Sequence, residues 1–457
     1  MANDYVCQKK FRMNHTRLFL WSICIALAGF LFGLDTAVIS GAEQAIQAQW
    51  QLDDVTHGLA VAMALWGTVL GAILGGWPSD RFGRKKTLFI IGILFLFSAI
   101  GSAAASNVYS FMVFRFWGGL AIGSSSVTAP LYISEIAPPR LRGRLVALFQ
   151  FNIVFGILMA YVANYLLRDV GGPDAWRWML GWVALPSLLF SLSVLTVPES
   201  PRWLVLRKGD EAAALAVLRR IDPAVADQQL DDIKASRHIP DASGKKESFF
   251  SAKYRFPIVL AFLFAFFNQV SGINAVIYYA PRILAETGMG KSAALLSSAG
   301  IGLVNLVFTL LGVSLIDRMG RRFLMYIGSW GYILSLSMVS FAFYSGAASN
   351  SLLVPILLFV FIASHAIGQG AVIWVFISEI FPNAVRSYGN SLGSTTHWVF
   401  AALIANIFPW LAGRFGGGPI FAFFAVMMVF QLLFVWKMMP ETKGVSLEEL
   451  EKQLVGK

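Results

Sequence analysis

Hydrophobic positions along this 457-residue chain form long unbroken runs, and short polar clusters separate them. About 20 consecutive apolar residues allow a helix to cross a bilayer, and we identify twelve runs of roughly that length. A helix satisfies its own backbone hydrogen bonds in lipid, and the alternating pattern of barrel strands is not seen. The pattern therefore predicts an all-α integral membrane protein whose twelve transmembrane helices cover residues 18–39, 56–77, 87–105, 108–133, 145–167, 178–197, 257–284, 293–316, 323–344, 351–377, 389–412 and 419–439.

The composition supports this prediction. Hydrophobic residues make up 57% of the chain and charged residues only 13%, whereas a soluble domain carries about 25% charged residues. No soluble fold hides so much apolar surface behind so few charges. The lipid bilayer is therefore an expected partner.

Three short phrases occur twice in the chain at similar offsets. D-R-F-G-R-K at 80 returns as D-R-M-G-R-R at 317, I-S-E-I-A-P at 133 as I-S-E-I-F-P at 377, and P-E-S-P-R at 198 as P-E-T-K-G at 440. A common offset indicates a duplication, and six helices per half give both halves the same orientation. The predicted divisions are the N-terminal half 1–197, a linker with short amphipathic helices 198–255, the C-terminal half 256–439 and a tail 440–457. Two such halves with a site between them are typical of transporters.

The net charge of +11 is explained by its distribution. With both termini placed in the cytoplasm, 30 of the 36 Lys and Arg residues fall on inner loops and tails. This asymmetry follows the positive-inside rule, so we expect cytoplasmic termini and no nucleic-acid partner. The short loops and tails favour a bacterial inner membrane.

The repeated charged phrases all fall on the predicted cytoplasmic side. One interpretation is a topology signal carried by solvated loops. The other is a network of gate charges that form ion pairs between the halves and break when the protein faces inward, since only a network of such weak pairs would bias a two-state carrier. The candidate gate charges are Asp80, Arg81, Arg84, Glu135, Arg142, Glu199, Arg202, Asp317, Arg321, Arg322, Glu379 and Arg386.

Only two charged residues lie well inside a predicted span, Asp35 and Arg115, because Arg282 and Lys437 lie two residues from the ends of their spans and are counted with the loops. Charges inside a membrane are costly, usually paired and usually functional. At 1.5 Å per residue, both lie roughly 7–11 Å below the predicted outer surface, so they can meet. They could form a static pair that aids assembly. Alternatively, an arginine that is near the carboxylate in one state and distant in another would switch its proton affinity, which is a device for proton coupling.

The spans also contain residues suited to a sugar. Amides both donate and accept hydrogen bonds, and aromatic faces cover the C–H side of a sugar ring. Such amides are also common as contacts between helices. Gln269 and Asn274 share a helix face only loosely, so a helix break at Gly272 would help to bring them together. The candidate substrate-binding residues are Gln150, Asn268, Gln269, Asn274, Tyr279, Asn305, Trp374, His397 and Trp398.

Five motifs carry a resemblance to a known family: G-W-P-S-D-R-F-G-R-K (76–85), Y-I-S-E-I-A-P-P-R-L-R-G-R (132–144), P-E-S-P-R (198–202), Q-V-S-G-I-N-A-V-I-Y-Y (269–279) and P-E-T-K-G (440–444). Together they resemble the sugar porter family of the major facilitator superfamily, over nearly the whole chain. The resemblance implies that Gln150, Asn268, Gln269, Asn274, Asn305 and Trp374 contact the sugar. It also implies a cytoplasmic helical bundle in the linker.

The resemblance further implies proton coupling, because proton symporters of this family have Asp in the context F-G-L-D-T-A-V-I-S-G (32–41), where facilitative carriers have Asn. Three positions depart from the family. Ala371 stands where proline is expected, His397 stands where close relatives have Gln or Asn, and His365 is an unusual polar residue in the tenth span.

We therefore expect a monomeric secondary transporter that carries a pentose, hexose or inositol by proton symport. The alternatives are an uncoupled sugar uniporter and, in a different class, a membrane nutrient sensor, although the tail after Pro440 is short for a sensor. An enzyme is disfavoured, since the chain has no Walker loop, HExxH motif, nucleophile elbow or intramembrane carboxylate pair. No cofactor and no metal are expected.

Overall fold

The computed structural model describes residues 15–235, 248–349, 352–382, 385–445 and 447–454, and these residues form helices and connecting loops without a strand. The N-terminal half consists of eight α-helices. They are α1 (His15–Gln49), α2 (Asp54–Leu74), α3 (Gly76–Phe82), α4 (Arg84–Ala104), α5 (Val108–Ile136), α6 (Pro139–Leu167), α7 (Ala175–Gly181) and α8 (Ala184–Thr196).

The linker and the C-terminal half supply the remaining helices. The linker contains α9 (Pro201–Trp203), α10 (Glu211–Ile221) and α11 (Ala226–Ala235), and the tail contains α20 (Leu447–Leu454). Between them lie α12 (Arg255–Val270), α13 (Ile273–Ala285), α14 (Lys291–Met319), α15 (Arg321–Ser345), α16 (Leu353–His365), α17 (Ala371–Glu379), α18 (Arg386–Phe415) and α19 (Gly417–Lys437).

The prediction of twelve membrane helices is confirmed. In the part of the chain that is described, eleven helical segments are long and apolar enough to cross a membrane. The remaining predicted span, 108–133, forms α5, a 29-residue helix that holds the buried charge of Arg115 and a run of serines. These polar groups lower its hydropathy, and its length still suffices to cross the bilayer.

One predicted boundary is wrong, and the error matters for the site. The first span was expected to end at residue 39, but α1 continues to Gln49. Small and polar residues follow position 39 and interrupt the apolar run without ending the helix. As a result Glu43 also lies in a membrane-spanning segment, and Asp35 is not the only acidic residue there.

Helices within the N-terminal half approach one another closely through glycine. A Cβ atom on Gly119 of α5 would collide with the main-chain carbonyl of Ala64 in α2, and one on Gly33 of α1 would collide with that of Ile153 in α6. Small residues at such crossings allow van der Waals packing of backbones in lipid, where no hydrophobic effect drives helices together.

Two membrane segments of the C-terminal half are interrupted. Gly272 separates α12 from α13 with a φ of +84°, a left-handed conformation that glycine adopts at little cost, so the predicted break is present. A π-helical turn at Ala366–Gly370 separates α16 from α17. The tenth span is therefore irregular even though Ala371 replaces the proline that the family resemblance implies.

The contacts between the halves lie toward the side away from the charged phrases. Gly58 of α2 packs against the carbonyl of Asn406 in α18. The Tyr161 hydroxyl donates to the carbonyl oxygen of Ile277 at 2.7 Å, and Phe32 meets Trp398 with ring centroids 5.6 Å apart. The halves are thus held together at one end of the molecule.

Candidate functional site

The charged phrase of the N-terminal half forms a compact ion-pair cluster. Arg84 donates through Nε and one terminal nitrogen to the two carboxylate oxygens of Glu135, both at 2.9 Å, and through the other terminal nitrogen to Asp80 at 3.0 Å. The paired side chains of Arg84 and Glu135 are 9% and 6% exposed. Two parallel hydrogen bonds in this shielded position are a strong form of ion pair.

Glu199 ties the start of the linker to this cluster. Its carboxylate accepts main-chain N–H bonds from Arg84 and Lys85, and the hydroxyl of Ser200 donates to Glu135. Gly83 makes this possible, because its φ is +96° and a Cβ there would strike the Glu199 carboxylate. Burial raises the pKa of Glu199, while the N–H donors act in the opposite direction.

The C-terminal half repeats the same arrangement. Arg321 pairs with Glu379 at 2.8 Å and with Asp317 at 3.0 Å. Glu441 accepts main-chain N–H bonds from Arg321 and Arg322, both at 3.0 Å. The hydroxyl of Thr442 donates to Glu379 at 2.6 Å, as Ser200 does to Glu135. Glu441 was not among the predicted residues, although the second P-E phrase pointed to it.

The remaining candidate gate charges make local contacts. Arg81 lies over the ring of Trp77, with 5.2 Å from guanidinium carbon to ring centroid, and Arg386 donates to the carbonyl of Phe381. Arg322 donates to the main chain of Val435 and Trp436. Arg142 and Arg202 are exposed.

The described residues show no ion pair of these charges between the halves in this conformation. Among the described residues, the ion pairs of Arg84 and Arg321 each join groups of their own half or its adjoining tail or linker. The reason is geometric. Arg84 and Arg321 each begin a helix, and each lies within hydrogen-bond distance of a glutamate near the end of a neighbouring helix in the same half. Pairing between the halves stays a prediction for another state of the transport cycle.

Asp35 and Arg115 meet as predicted. One terminal nitrogen of Arg115 donates to Asp35 Oδ1 at 2.7 Å, and the other donates to the main-chain oxygen of Asp35 at 3.1 Å. The side chains are 4% and 1% exposed. The second carboxylate oxygen, Oδ2, has no hydrogen-bond partner in the part of the chain that the structure describes. Tyr278, from the other half, is buried within electrostatic range of the pair.

The amides around the Gly272 break form one network. Asn274 Nδ2 donates to Gln269 Oε1 at 2.6 Å, and Gln269 Nε2 donates to Asn268 Oδ1 at 2.8 Å. The same Gln269 nitrogen lies 3.1 Å from Nδ1 of His397 on α18. The break thus turns two residues that are five positions apart into direct partners.

Aromatic rings border this network. The ring centroid of Trp374 lies 5.0 Å from that of His397, and the centroid of Trp398 lies 4.7 Å from His397 on another side. Trp374 is 39% exposed, whereas Trp398 is buried against Phe32 of the N-terminal half. The network is therefore near the contact between the halves and has one open aromatic face.

Three predicted substrate-binding residues have neither a described hydrogen bond nor a ring contact with this network. Gln150 is half-buried on α6. Asn305 is buried on α14 and accepts from Thr309 at 3.4 Å. Tyr279 is fully buried, donates to the carbonyl of Ala405 at 2.9 Å and stacks on Phe408. His365 also lies apart, with Nδ1 2.6 Å from the Tyr332 hydroxyl.

A second buried charged group was missed by the sequence reasoning. Glu43 of α1 pairs with Arg282 of α13 and with His57 of α2. The prediction leaves Glu43 in a loop because its first span stops at residue 39, and it counts Arg282, two residues from the end of the span 257–284, with the outer loop. His57 stands alone in an apolar run, and its sequence gives no sign of a charged partner 14 positions earlier.

Comparisons with known proteins agree with this architecture. The family described as "Sugar (and other) transporter" matches residues 21–454. The D-xylose transporter of Levilactobacillus brevis is 38% identical over 94% of each chain, and the D-xylose-proton symporter of Escherichia coli K12 is 36% identical over 96% of each chain. The inward-open structure of the E. coli xylose transporter XylE superposes with a TM-score of 0.84 at 33% identity, covering 96% of this chain and 100% of that chain.

Two parallel halves, each with six membrane-spanning segments, meet around a polar network. This architecture defines a multi-pass membrane transporter of the major facilitator superfamily. Because the match spans nearly the whole chain and these relatives cover it at more than 30% identity, the chain belongs to the sugar transporter family. The relatives are transporters rather than enzymes, so the prediction of a transporter is confirmed.

Proposed function

We propose that this protein carries a monosaccharide across the bacterial inner membrane together with a proton, by alternating access. The observation that carries the proposal is the buried Asp35–Arg115 pair, in which one carboxylate oxygen of Asp35 has no hydrogen-bond partner among the described residues. An intramembrane carboxylate of this kind is a candidate proton site. The names of the relatives, a xylose transporter and a xylose–proton symporter, support the same function.

In the proposed cycle, a proton from outside neutralises Asp35 and removes the charge that holds Arg115. The protein then binds sugar, the halves rock, and sugar and proton leave on the inner side. Tyr278 is proposed to relay this change to the other half, because it belongs to α13 and lies within electrostatic range of Asp35 and Arg115. A ligand shifts such an equilibrium only by the difference in its affinity for the two states.

The amide network is the proposed sugar site. Asn268, Gln269 and Asn274 offer donors and acceptors for hydroxyl groups, and Trp374 offers an exposed ring face. His397 supplies a further polar group that approaches Gln269. We propose a pentose, a hexose or inositol as the substrate, and we retain Gln150, Asn305 and Tyr279 as proposed contacts in other states of the cycle.

The repeated charge clusters are the proposed inner gate. Both termini are placed in the cytoplasm on the basis of the basic loops. The linker is proposed to brace the halves at this side. Trp203 of the linker donates to the carbonyl of Asp80 at 2.8 Å, and Phe249 packs on Phe381 of the C-terminal half with ring centroids 5.8 Å apart.

The proposal is tested with purified protein in sealed liposomes that contain a pH dye. Xylose, glucose and inositol are added in turn to wild type, to Asp35→Asn and to a control. Asp174→Asn is a matched control, because Asp174 pairs with Arg177 at 3.0 Å on an exposed loop. We expect sugar-dependent acidification in wild type and in Asp174→Asn, and its loss in Asp35→Asn while sugar exchange continues.

The competing function is uncoupled uniport. The bond from Arg115 to the main-chain oxygen of Asp35 favours it, because a static structural pair would also use this contact. Sugar entry without acidification in all three proteins would establish the uniporter and make the pair structural. An absence of transport for every sugar tested would contradict the substrate assignment.

A further inference from the structure

Three ionisable residues form a buried cluster on the proposed outer side, which we call the outer triad: Glu43, His57 and Arg282. Arg282 donates through Nε to Glu43 Oε1 at 3.0 Å and through a terminal nitrogen to Glu43 Oε2 at 2.7 Å. Nε2 of His57 lies 2.8 Å from Glu43 Oε2. The Glu43 and His57 side chains are fully buried, and that of Arg282 is 19% exposed.

The triad joins the two halves of the transporter. Glu43 and His57 belong to α1 and α2 of the N-terminal half, whereas Arg282 belongs to α13 of the C-terminal half. Gln47 of α1 also accepts a hydrogen bond from Arg282. A buried charge left without its partner is strongly destabilising, so separation of the halves here must break the pair or rehydrate it.

The segment that carries Arg282 is attached by irregular backbone. α13 follows the left-handed Gly272, and inside it Tyr279 has non-helical angles of φ −120° and ψ 17°, two residues before Pro281. The ring of Tyr279 contacts His57 edge-on, with centroids 6.3 Å apart. α13 is therefore a short helix that begins and bends at irregular points, and the triad is one of its contacts with the N-terminal half.

The charge balance of the closed triad leaves no place for another proton. A carboxylate, a guanidinium and a neutral imidazole that donates through Nε2 together carry no net charge. The other ring nitrogen, Nδ1, is buried and has no partner among the described residues. A proton on Nδ1 would create a buried N–H without an acceptor beside a cation, and a proton on Glu43 would leave Arg282 without its anion. Either proton weakens the closed arrangement.

We propose that the outer triad is a second proton-binding site, separate from Asp35–Arg115, and that proton binding to it releases the closed outer side. External acid would then favour the outward-open state, which is the state that collects sugar. The inference rests on alternating access in the proposed function, and it does not depend on which sugar is carried or on coupling through Asp35.

The other ionisable groups that face the triad are few. α13 contributes Tyr279 and Glu286, which interact electrostatically with Arg282 and Glu43. α2 contributes Asp54, which accepts from Gln47 at 3.2 Å. From α18 the packed groups are the main-chain carbonyls of Ala405 and Asn406, and from α6 the nearby ionisable side chain is Tyr161.

The test measures the distance between the outer ends of the halves without sugar. Spin labels are placed on Ser106→Cys and Ser349→Cys, which are exposed in loops at the proposed outer side of each half, in full-length protein whose Cys7 and Cys24 are serine. Distance distributions are recorded in proteoliposomes between about pH 5 and pH 8, the range in which an imidazole changes charge. We expect the long-distance population to increase as the pH falls.

Four variants identify the proton site. His57→Gln keeps a donor for Glu43 and cannot be protonated, so we expect a short distance and loss of the pH response. Glu43→Gln leaves Arg282 without an anion, so we expect the long distance to be enriched across the pH range. Glu286→Gln, a change of an exposed neighbour, and Asp35→Asn are expected to keep the wild-type response.

The outcomes separate this proposal from the proposed function. A wild-type distance that does not change with pH would overturn the proton site in the triad, and a response that survives in His57→Gln would overturn His57 as the residue that takes the proton. A pH response that disappears only in Asp35→Asn would assign the proton site to the Asp35–Arg115 pair. Size-exclusion profiles and melting temperatures identify variants that fail to fold, and failure of sugar-driven acidification alone would contradict symport and leave the triad intact.

Discussion

Gln269 is the residue on which the polar contacts of the proposed sugar site converge. It is fully buried and contacts Asn268, Asn274 and His397, so its amide fixes the orientation of three other polar groups. A sugar that replaces one of these contacts would keep all donors and acceptors satisfied. An apolar residue at this position would leave neighbouring buried donors and acceptors without hydrogen-bond partners, and an unsatisfied buried polar group costs free energy.

We therefore expect Gln269→Leu to raise the KM for sugar about tenfold or more, since leaving a buried polar group unsatisfied costs about 1–3 kcal/mol. Gln44→Leu serves as the control, because Gln44 is an exposed glutamine on α1. Initial rates of radiolabelled sugar exchange in proteoliposomes measure both. An unchanged KM in Gln269→Leu, with the protein folded, would exclude the amide network as the sugar site.

At the residue scale, the sequence predicted pairs whose members lie inside apolar runs. Asp35 and Arg115 were matched by depth, and their 2.7 Å contact follows. Glu43 was missed because hydropathy locates lipid contact and not the end of a helix, and without Glu43 neither His57 nor Arg282 has a visible buried partner. α1 continues ten residues past the predicted boundary, where protein rather than lipid surrounds it.

At the element scale, the duplicated phrases form the same junction twice. An arginine at the start of α4 or α15 pairs with a glutamate near the end of α5 or α17, and a second glutamate from the following linker or tail accepts main-chain N–H bonds. The sequence predicted the repeat and its side of the membrane. The sequence could not show that the charges of each junction pair within their own half, because the paired arginine and glutamate are 51 and 58 residues apart along the chain.

The glutamates of the two junctions differ in solvent exposure, and this difference predicts unequal effects on stability. Glu135 is 6% exposed and Glu379 is 22% exposed, while their arginines are about equally buried, so the ion pair that contains Glu135 is the one better shielded from solvent. We expect Glu135→Gln to destabilise the folded protein by about 3 kcal/mol or more, and Glu379→Gln by less. Thermal unfolding in detergent compares them, with Asp317→Asn as a control because Asp317 is 82% exposed. Equal melting temperatures for Glu135→Gln and wild type would contradict the structural role of this pair.

At the scale of the whole molecule, direct contacts between the described parts of the two halves lie toward one side. Gly58–Asn406, Tyr161–Ile277 and the outer triad all lie away from the charged junctions. The similarity to an inward-open transporter structure agrees with this arrangement. The sequence predicted two halves and a site between them, but the choice of conformation depends on contacts between residues more than 100 positions apart.

Concentrative uptake tests the central claim of proton-coupled sugar transport most directly. Purified protein is reconstituted into liposomes, a pH gradient with the interior alkaline is imposed, and the internal xylose concentration is followed. Coupling to proton entry predicts that internal xylose rises above the external concentration and returns to equality when a protonophore collapses the gradient. Internal xylose that approaches the external concentration and never exceeds it, with or without the gradient, would contradict symport and identify a uniporter.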